Sequence, residues 1–323
     1  MIVLEDLTAE VPDTNAYYFN LKKFSNEHDK VVLMYGYDSS NNIDLKDKYR
    51  DYKKIFFNNW APCEYAQEKD HNGKSPLEYD KNFDIIYSIC PYTVDWLNNL
   101  KLNREYKYIF YPFCDTLIPK QQEKQYDVIY HGGIHGKQHV DCLKVIRMFN
   151  YRYCTMTHHI NSLTRRFLPI ATDTDLNFKE KINLVAKTKI SVCYNFAHAH
   201  KDHIPRIKKN TQYEKNLAFS HIDSEGIFPQ FKTRMHEAAI SKTLNLVQRD
   251  NWNIAEAYYE PEKDFIYFTD RVDLKNKIKE ITMNWNSYQD IIDSAYKKAM
   301  SYTTDKFIDI IQTGKEWRYK DAL

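Results

Sequence analysis

Short apolar runs alternate with stretches of helical periodicity along most of the chain, the pattern of βαβ units around a mainly parallel sheet. In the first half, strands are predicted at residues 1–4, 30–35, 53–57, 83–88 and 106–111, with helices at 14–27 and 93–100. Cys90-Pro91 and Tyr111-Pro112 close two of these strands, because proline offers no N–H to a ladder and restricts the residue before it. After Pro119 the polar run Lys120-Gln121-Gln122-Glu123-Lys124-Gln125 precedes a fresh strand at 126–130. The alternation then resumes. Strands are expected at 152–156, 189–194, 243–248 and 265–268, and helices at 140–149, 178–186 and 231–241, from Asn253, and through most of the remainder.

This pattern predicts an α/β protein of two Rossmann-like domains, 1–122 and 123–300, followed by a C-terminal segment, 301–323. A length of 323 residues suits two cores rather than one. Doubly wound sheets in tandem are expected to leave a cleft at their carboxyl edges, where such folds take ligands. In the last segment Phe307, Ile308, Ile310 and Ile311 form an apolar stripe at helical spacing, suited to packing back onto the first domain.

Charge and composition then exclude some classes of function. The 46 basic and 44 acidic side chains nearly cancel, so whole-chain electrostatics favour neither nucleic acid nor anionic lipid. No apolar run approaches the ~18 residues of a membrane span, and Met1-Ile2-Val3-Leu4 is followed at once by Glu5 and Asp6. Neither a span nor a secretory leader is expected. Cys63, Cys90, Cys114, Cys142, Cys154 and Cys193 include no C-x-x-C pair and read as buried thiols in a reducing, cytoplasmic setting. The 7 glycines against 26 tyrosines read as coding bias and carry no functional argument.

The most informative segment runs from Phe231 through Arg234-Met235-His236-Glu237-Ala238-Ala239 to Val247. Arg234 and Glu237, three apart, share one face of a helix that leads into a buried strand. A guanidinium suits a diphosphate and a carboxylate suits paired ribose hydroxyls, although the same spacing also yields ordinary surface ion pairs. Asp127-Val128-Ile129-Tyr130-His131-Gly132-Gly133 is a strand running into a glycine pair. There the backbone can approach a phosphate, unless the pair is only a tight turn. Ile134-His135-Gly136-Lys137-Gln138-His139 follows, with His135 and Lys137 as candidate cations.

These motifs, with Arg249-Asp250-Asn251-Trp252-Asn253-Ile254-Ala255-Glu256, resemble the donor half of the GT-B glycosyltransferases. The family-1-like group that includes spore-maturation CgeB-type proteins is the most similar. The Arg-x-x-Glu spacing and the Gly132-Gly133 strand end also resemble those of the phage DNA β-glucosyltransferase, another GT-B enzyme. The resemblance implies that Glu237 holds the nucleotide ribose and Arg234 neutralises the diphosphate. It further implies that the loop bearing Asn253, Ile254 and Glu256 turns backbone amides to the phosphates. Many retaining members carry a second glutamate eight positions earlier; here that position is Pro229 and the nearest upstream acid is Glu225. Whether the reaction retains or inverts the anomeric centre is therefore open. If it inverts, Glu64 or Asp38 would be the general base, each following a strand of the first domain.

Two further patterns compete for a metal. Asp173-Thr174-Asp175 matches the Asp-x-Asp of cation-dependent GT-A transferases, but sits beyond the first domain. His198, His200 and His203 lack companion cysteines or an H-x-x-x-H helix and read as a polar loop. Residues 177–181 and 201–210 read as surface features. The expectation is sugar transfer from a nucleotide-sugar donor, a UDP-sugar, to a glycan or small-molecule acceptor, without metal or redox cofactor. A nucleotide-sugar 2-epimerase of the same fold and a DNA-modifying glucosyltransferase are the alternatives.

Overall fold

A computed structural model describes residues 2–6, 31–35, 50–58, 80–90, 93–94, 97–98, 101–157, 162–198, 227–250 and 253–317 of the chain. The chain divides into two compact units. The first comprises Met1–Cys114, Ala199–Gln230 and Tyr302–Leu323, and the second Asp115–His198 and Phe231–Ser301.

Among the described residues of the first unit, β1 (Ile2–Asp6), β2 (Val31–Tyr35), β3 (Lys53–Asn58), β4 (Ile85–Ser88) and β5 (Glu105–Tyr108) form a parallel sheet in that order. The inner strands read Ile55-Phe56-Phe57 and Ile85-Ile86-Tyr87, buried throughout, as strands covered on both faces must be. The helix Thr304–Thr313 belongs to this unit and buries Phe307, Ile308 and Ile311. Ile310, the fourth residue of the expected stripe, is only partly covered. Phe307 meets Phe57 edge-on at 5.0 Å. The Trp317 N–H donates to the Tyr108 carbonyl at 3.1 Å, and the Tyr87 hydroxyl donates to the Lys315 carbonyl at 2.9 Å.

The second unit begins with β6 (Tyr126–His131), β7 (Tyr151–Thr155), β8 (Asp173–Thr174) and β9 (Thr188–Cys193). Two short strands follow in the chain, β10 (Phe196–His198) and β11 (Ile227–Pro229), before β12 (Leu244–Gln248) and β13 (Ile266–Phe268). The sheet of the second unit is parallel, in the order β13-β12-β9-β6-β7-β8. The chain thus starts at the centre, winds outward through β7 and β8, then returns to β9 and winds the other way. Between β6 and β9 the connections leave in opposite directions, the switch point at whose carboxyl edge such sheets take ligands.

Strands expected at 126–130, 152–156, 189–194, 243–248 and 265–268 lie within two residues of the observed ones, and the helix Phe178–Ala186 has the expected bounds. The two-residue β8 was not legible, because Asp173 and Thr174 carry no apolar pattern. The helix expected at 231–241 begins only at Arg234. That expected at 14–27 lies outside the described residues. Among the described residues no helix is long and apolar enough to cross a membrane. Cys90, Cys114, Cys142, Cys154 and Cys193 are buried and form no disulfide. Burial pushes Cys142, Cys154 and Cys193 up to about 12, so these sulfurs are inert.

Candidate functional site

At the end of β6 the chain turns through Gly132 and Gly133 towards the helix Lys137–Ile146. Gly132 has φ +142°, and a Cβ built there would overlap the guanidinium of Arg234. Only glycine leaves that notch open. The turn is pinned on both sides. The Gly132 N–H donates to the Cys154 carbonyl at 2.9 Å, and the Tyr130 hydroxyl donates to the Gly133 carbonyl at 2.8 Å. The Ile134 N–H donates to Thr164 Oγ1 at 3.2 Å. Arg234 opens the helix Arg234–Ile240, and its guanidinium lies 5.6 Å from the centre of the Tyr130 ring.

Arg234 and Lys232 bring positive charge to this notch, with histidines beside them. Desolvation, with the charges of Arg234, Lys232 and His198, pushes His135 down to about 4. His139, buried in the first turn of Lys137–Ile146, packs against Tyr194 at 4.9 Å and Phe196 at 5.4 Å. Its burial and then Arg234, His135, His198 and Lys232 hold it well below the ordinary histidine range. His198 stands against Gly136, its ring 2.6 Å from where a Cβ would be. Among the described residues no side chain caps the helix that Gly136 leads into, so its first-turn N–H groups add to the positive field. Arg234 and Lys232, whose charges help to keep His135 and His139 neutral, together with the helix start make a place suited to an anion. Lys137 stands exposed at that helix start.

Glu237 sits in a nearly closed polar setting. Its residue is 4% exposed. Lys181 Nζ lies 2.9 Å from Oε1, while His131 Nδ1 approaches Oε2 at 3.1 Å in a bent contact. Burial alone would raise the carboxyl, but the Lys181 charge and the His131 hydrogen bond outweigh it and hold Glu237 well below the usual carboxylate range. His131 Nε2 lies 3.1 Å from Ser191 Oγ on β9. Glu237 therefore pairs with Lys181 and His131, and the surface i,i+3 ion pair open from spacing is not what forms.

The loop after β12 leaves the same carboxyl edge. Asn253 is left-handed, φ 50°, and leads into the 3-10 turn Ile254–Ala257. Ile254 is buried, and Glu256 accepts a hydrogen bond from the Tyr267 hydroxyl at 3.1 Å. The side chains of Ile254 and Glu256 thus serve the loop itself.

In overall structure the chain is similar to TarM, with TM-score 0.54 and 12% identity over 91% of this chain and 56% of TarM. It is also similar to HepE from Anabaena in complex with UDP-glucose, with TM-score 0.56 and 8% identity over 88% of this chain and 78% of HepE. A sucrose-phosphate synthase from Thermosynechococcus elongatus aligns at TM-score 0.56 and 10% identity, covering 95% of this chain and 76% of the synthase. The chain has the GT-B fold. It spans little more than half of TarM. No family model and no curated protein sequence matches it.

Within the GT-B fold, Gly132, Gly133, His135, Arg234 and Glu237 come together in the second Rossmann-like unit. Asn253, Ile254 and Glu256 lie on a neighbouring loop of the same unit. Glu64, Asp38, His200 and His203 lie outside the described residues. Asp175, left-handed at φ 53°, accepts from the Thr157 N–H at 2.7 Å, and Asp173 lies 3.7 Å from Arg152. Both carboxylates of the Asp-x-Asp tripeptide thus serve a turn and a strand edge. Among the described residues no three His, Cys, Asp or Glu side chains form a metal-binding group.

Lys181, read from sequence as part of a surface feature, instead reaches Glu237. It is the fourth residue of a helix whose start is fixed by a capping box, in which Asn177 and Glu180 each accept the other's N–H at 3.0 Å. His131 and Ser191 went unnoticed as site residues because each sits in a strand of apolar neighbours. The available signal was a pair of polar residues interrupting runs that a fully buried strand would fill with apolar ones.

Proposed function

We propose that this chain is a glycosyltransferase that moves a sugar from a UDP-sugar to a hydroxyl acceptor, a glycan or small molecule. The observation that carries the reading is the positive notch of Gly132 and Arg234 at the switch point of the second unit, flanked by His135, His139 and His198. HepE with UDP-glucose and a Staphylococcus aureus TarM variant with UDP support the choice of nucleotide. In the reaction the bond from the anomeric carbon to the diphosphate oxygen breaks, and one forms to the acceptor oxygen. The acceptor gives up its proton to a base, and UDP departs with the bonding electrons. Negative charge grows on the leaving diphosphate. The Arg234 guanidinium, a rigid fork of donors, and the uncapped amides of Lys137–Ile146 would offset that charge without reorganising.

In this reading the protein's own cations do the work that a divalent ion does elsewhere, and turnover survives chelation. The buried thiols suit a reducing, cytoplasmic compartment. Kinship with the CgeB-type group or the phage DNA glucosyltransferase rests on the Arg234–Glu237 spacing and the strand end at Gly132-Gly133.

The test is incubation of the full chain with a panel of nucleotide sugars, with and without EDTA, following free nucleotide and donor by chromatography. Release of UDP that persists in EDTA supports the proposal. Loss of activity on chelation with rescue by manganese would remove metal independence, and an isomerised donor would assign an epimerase. Binding without turnover would leave a nucleotide-sugar binder.

A further inference from the structure

Under the notch lies a buried polar chain that joins four elements. Lys181 comes from the helix Phe178–Ala186, Glu237 from Arg234–Ile240, His131 from the end of β6 and Ser191 from β9. The contacts are Lys181 Nζ to Glu237 Oε1 at 2.9 Å, His131 Nδ1 to Glu237 Oε2 at 3.1 Å, and His131 Nε2 to Ser191 Oγ at 3.1 Å. Ser191 is 0% exposed and His131 2%. Ser191 and His131 are thus enclosed by the fold.

We propose that His131 is a positioning residue of the nucleotide site: by holding Glu237 it clamps the Gly132 turn to the start of the arginine-bearing helix. This rests on the nucleotide-binding reading above. His131 immediately precedes Gly132, and Glu237 lies one helical turn after Arg234. Their contact, 3.1 Å from His131 Nδ1 to Glu237 Oε2, therefore ties together the two segments whose close approach makes the notch. Charge balance sets the proton. Lys181 and Glu237 cancel, so a second buried cation at His131 would be uncompensated. A neutral ring beside a carboxylate must carry its hydrogen on Nδ1, which leaves Nε2 to accept from the Ser191 hydroxyl. Only this tautomer satisfies both neighbours.

The role separates from mere packing by two substitutions of similar bulk. His131→Asn keeps an N–H near the position of Nδ1, facing Glu237, whereas His131→Gln reaches towards Ser191 and gives up the Glu237 contact. Binding of UDP is measured by calorimetry for the wild type and both variants, with melting temperatures alongside. We expect His131→Asn to bind within about threefold of the wild type and His131→Gln to bind at least tenfold more weakly, at similar melting temperatures. Equal losses in both variants, or wild-type affinity in His131→Gln, would overturn the clamp. Failure of the wild-type chain to bind UDP would instead overturn the nucleotide reading, and the role with it. Ring nitrogen shifts of His131 in the wild type isolate the clamp from that outcome and from misfolding of the variants. An Nδ1–H tautomer at neutral pH supports it, and an Nε2–H tautomer or an imidazolium contradicts it.

Discussion

The guanidinium of Arg234 fills the space that a side chain on residue 132 would need, so the glycine and the arginine form one structure. Their segments lie about a hundred residues apart in sequence, yet each is shaped by the other. Gly132→Ala would meet both a positive φ and the guanidinium. Strain on the order of 1–3 kcal/mol is expected from the backbone alone, and UDP affinity should fall more than tenfold as Arg234 is displaced. Gly314→Ala is the control: φ is +65°, but the neighbouring atom is the mobile end of Lys53. It should lower the melting temperature and leave UDP binding intact. Unchanged UDP affinity in Gly132→Ala would separate the two residues functionally.

Glu237→Ala removes one member of a buried ion pair and leaves Lys181 and His131 facing a void. Breaking a fully buried pair from one side costs ~3–5 kcal/mol, an upper bound here because the Lys181 side chain is 23% exposed. A melting temperature close to that of the wild type would show that the carboxylate is more solvated than its surroundings indicate. The expectation follows from burial, which sequence spacing did not convey.

What the sequence displayed was periodicity. Val128-Ile129-Tyr130 and Leu244 to Val247 are apolar runs bounded by polar turns, and they became β6 and β12 with little shift of their ends. The resemblance singled out Arg234 and Glu237 as a unit, and both stand beside the Gly132 turn. What could not be read was direction. Three-residue spacing on a helix allowed Glu237 to face Arg234 or solvent, and packing against Phe178–Ala186 turned it inward to Lys181. His131 and Ser191 are paired only because β6 and β9, sixty residues apart, lie side by side in register, with Ile129 opposite Ser191. Strand order is a tertiary fact, and no local pattern carries it.

One buried and one half-buried group, in different units, should give stability a minimum near neutral pH. Burial raises Asp80, which accepts from the Tyr106 hydroxyl, from 3.8 to about 7. Between those values the folded chain keeps a proton that the unfolded chain has lost, so stability falls as pH rises. Burial lowers Lys124, which donates to the Ala186 carbonyl and Thr243 Oγ1, from 10.5 to about 7. Above pH 7 the unfolded chain holds the extra proton, and stability rises. Urea unfolding across pH 5 to 9 reads both slopes. Asp80→Asn should abolish the falling limb and Lys124→Met the rising one. If both limbs persist in the variants, other groups carry them.

Truncation after residue 300 removes Tyr302, Phe307, Ile308 and Ile311 from the core of the first unit. At ~1.5–3 kcal/mol for each fully buried large apolar side chain, the loss approaches the whole stability of a typical domain, ~5–15 kcal/mol. The first unit should lose cooperative unfolding, while the second, which contains Gly132 and Arg234, should still bind UDP. A truncated chain that melts like the wild type would show that the terminal helix contributes little.

The most direct measurement is a calorimetric comparison of UDP with uridine, on the wild type and on Arg234→Ala. The two ligands share base and ribose and differ only in the diphosphate, so their affinity gap reports the anion site alone. A charge-assisted hydrogen bond contributes ~1.5–3 kcal/mol, and tenfold in affinity corresponds to about 1.4 kcal/mol. UDP should therefore bind the wild type at least tenfold more tightly than uridine, and the gap should shrink at least tenfold in Arg234→Ala. Equal affinity for UDP and uridine, or a gap that Arg234→Ala leaves intact, would contradict a diphosphate site at Gly132 and Arg234.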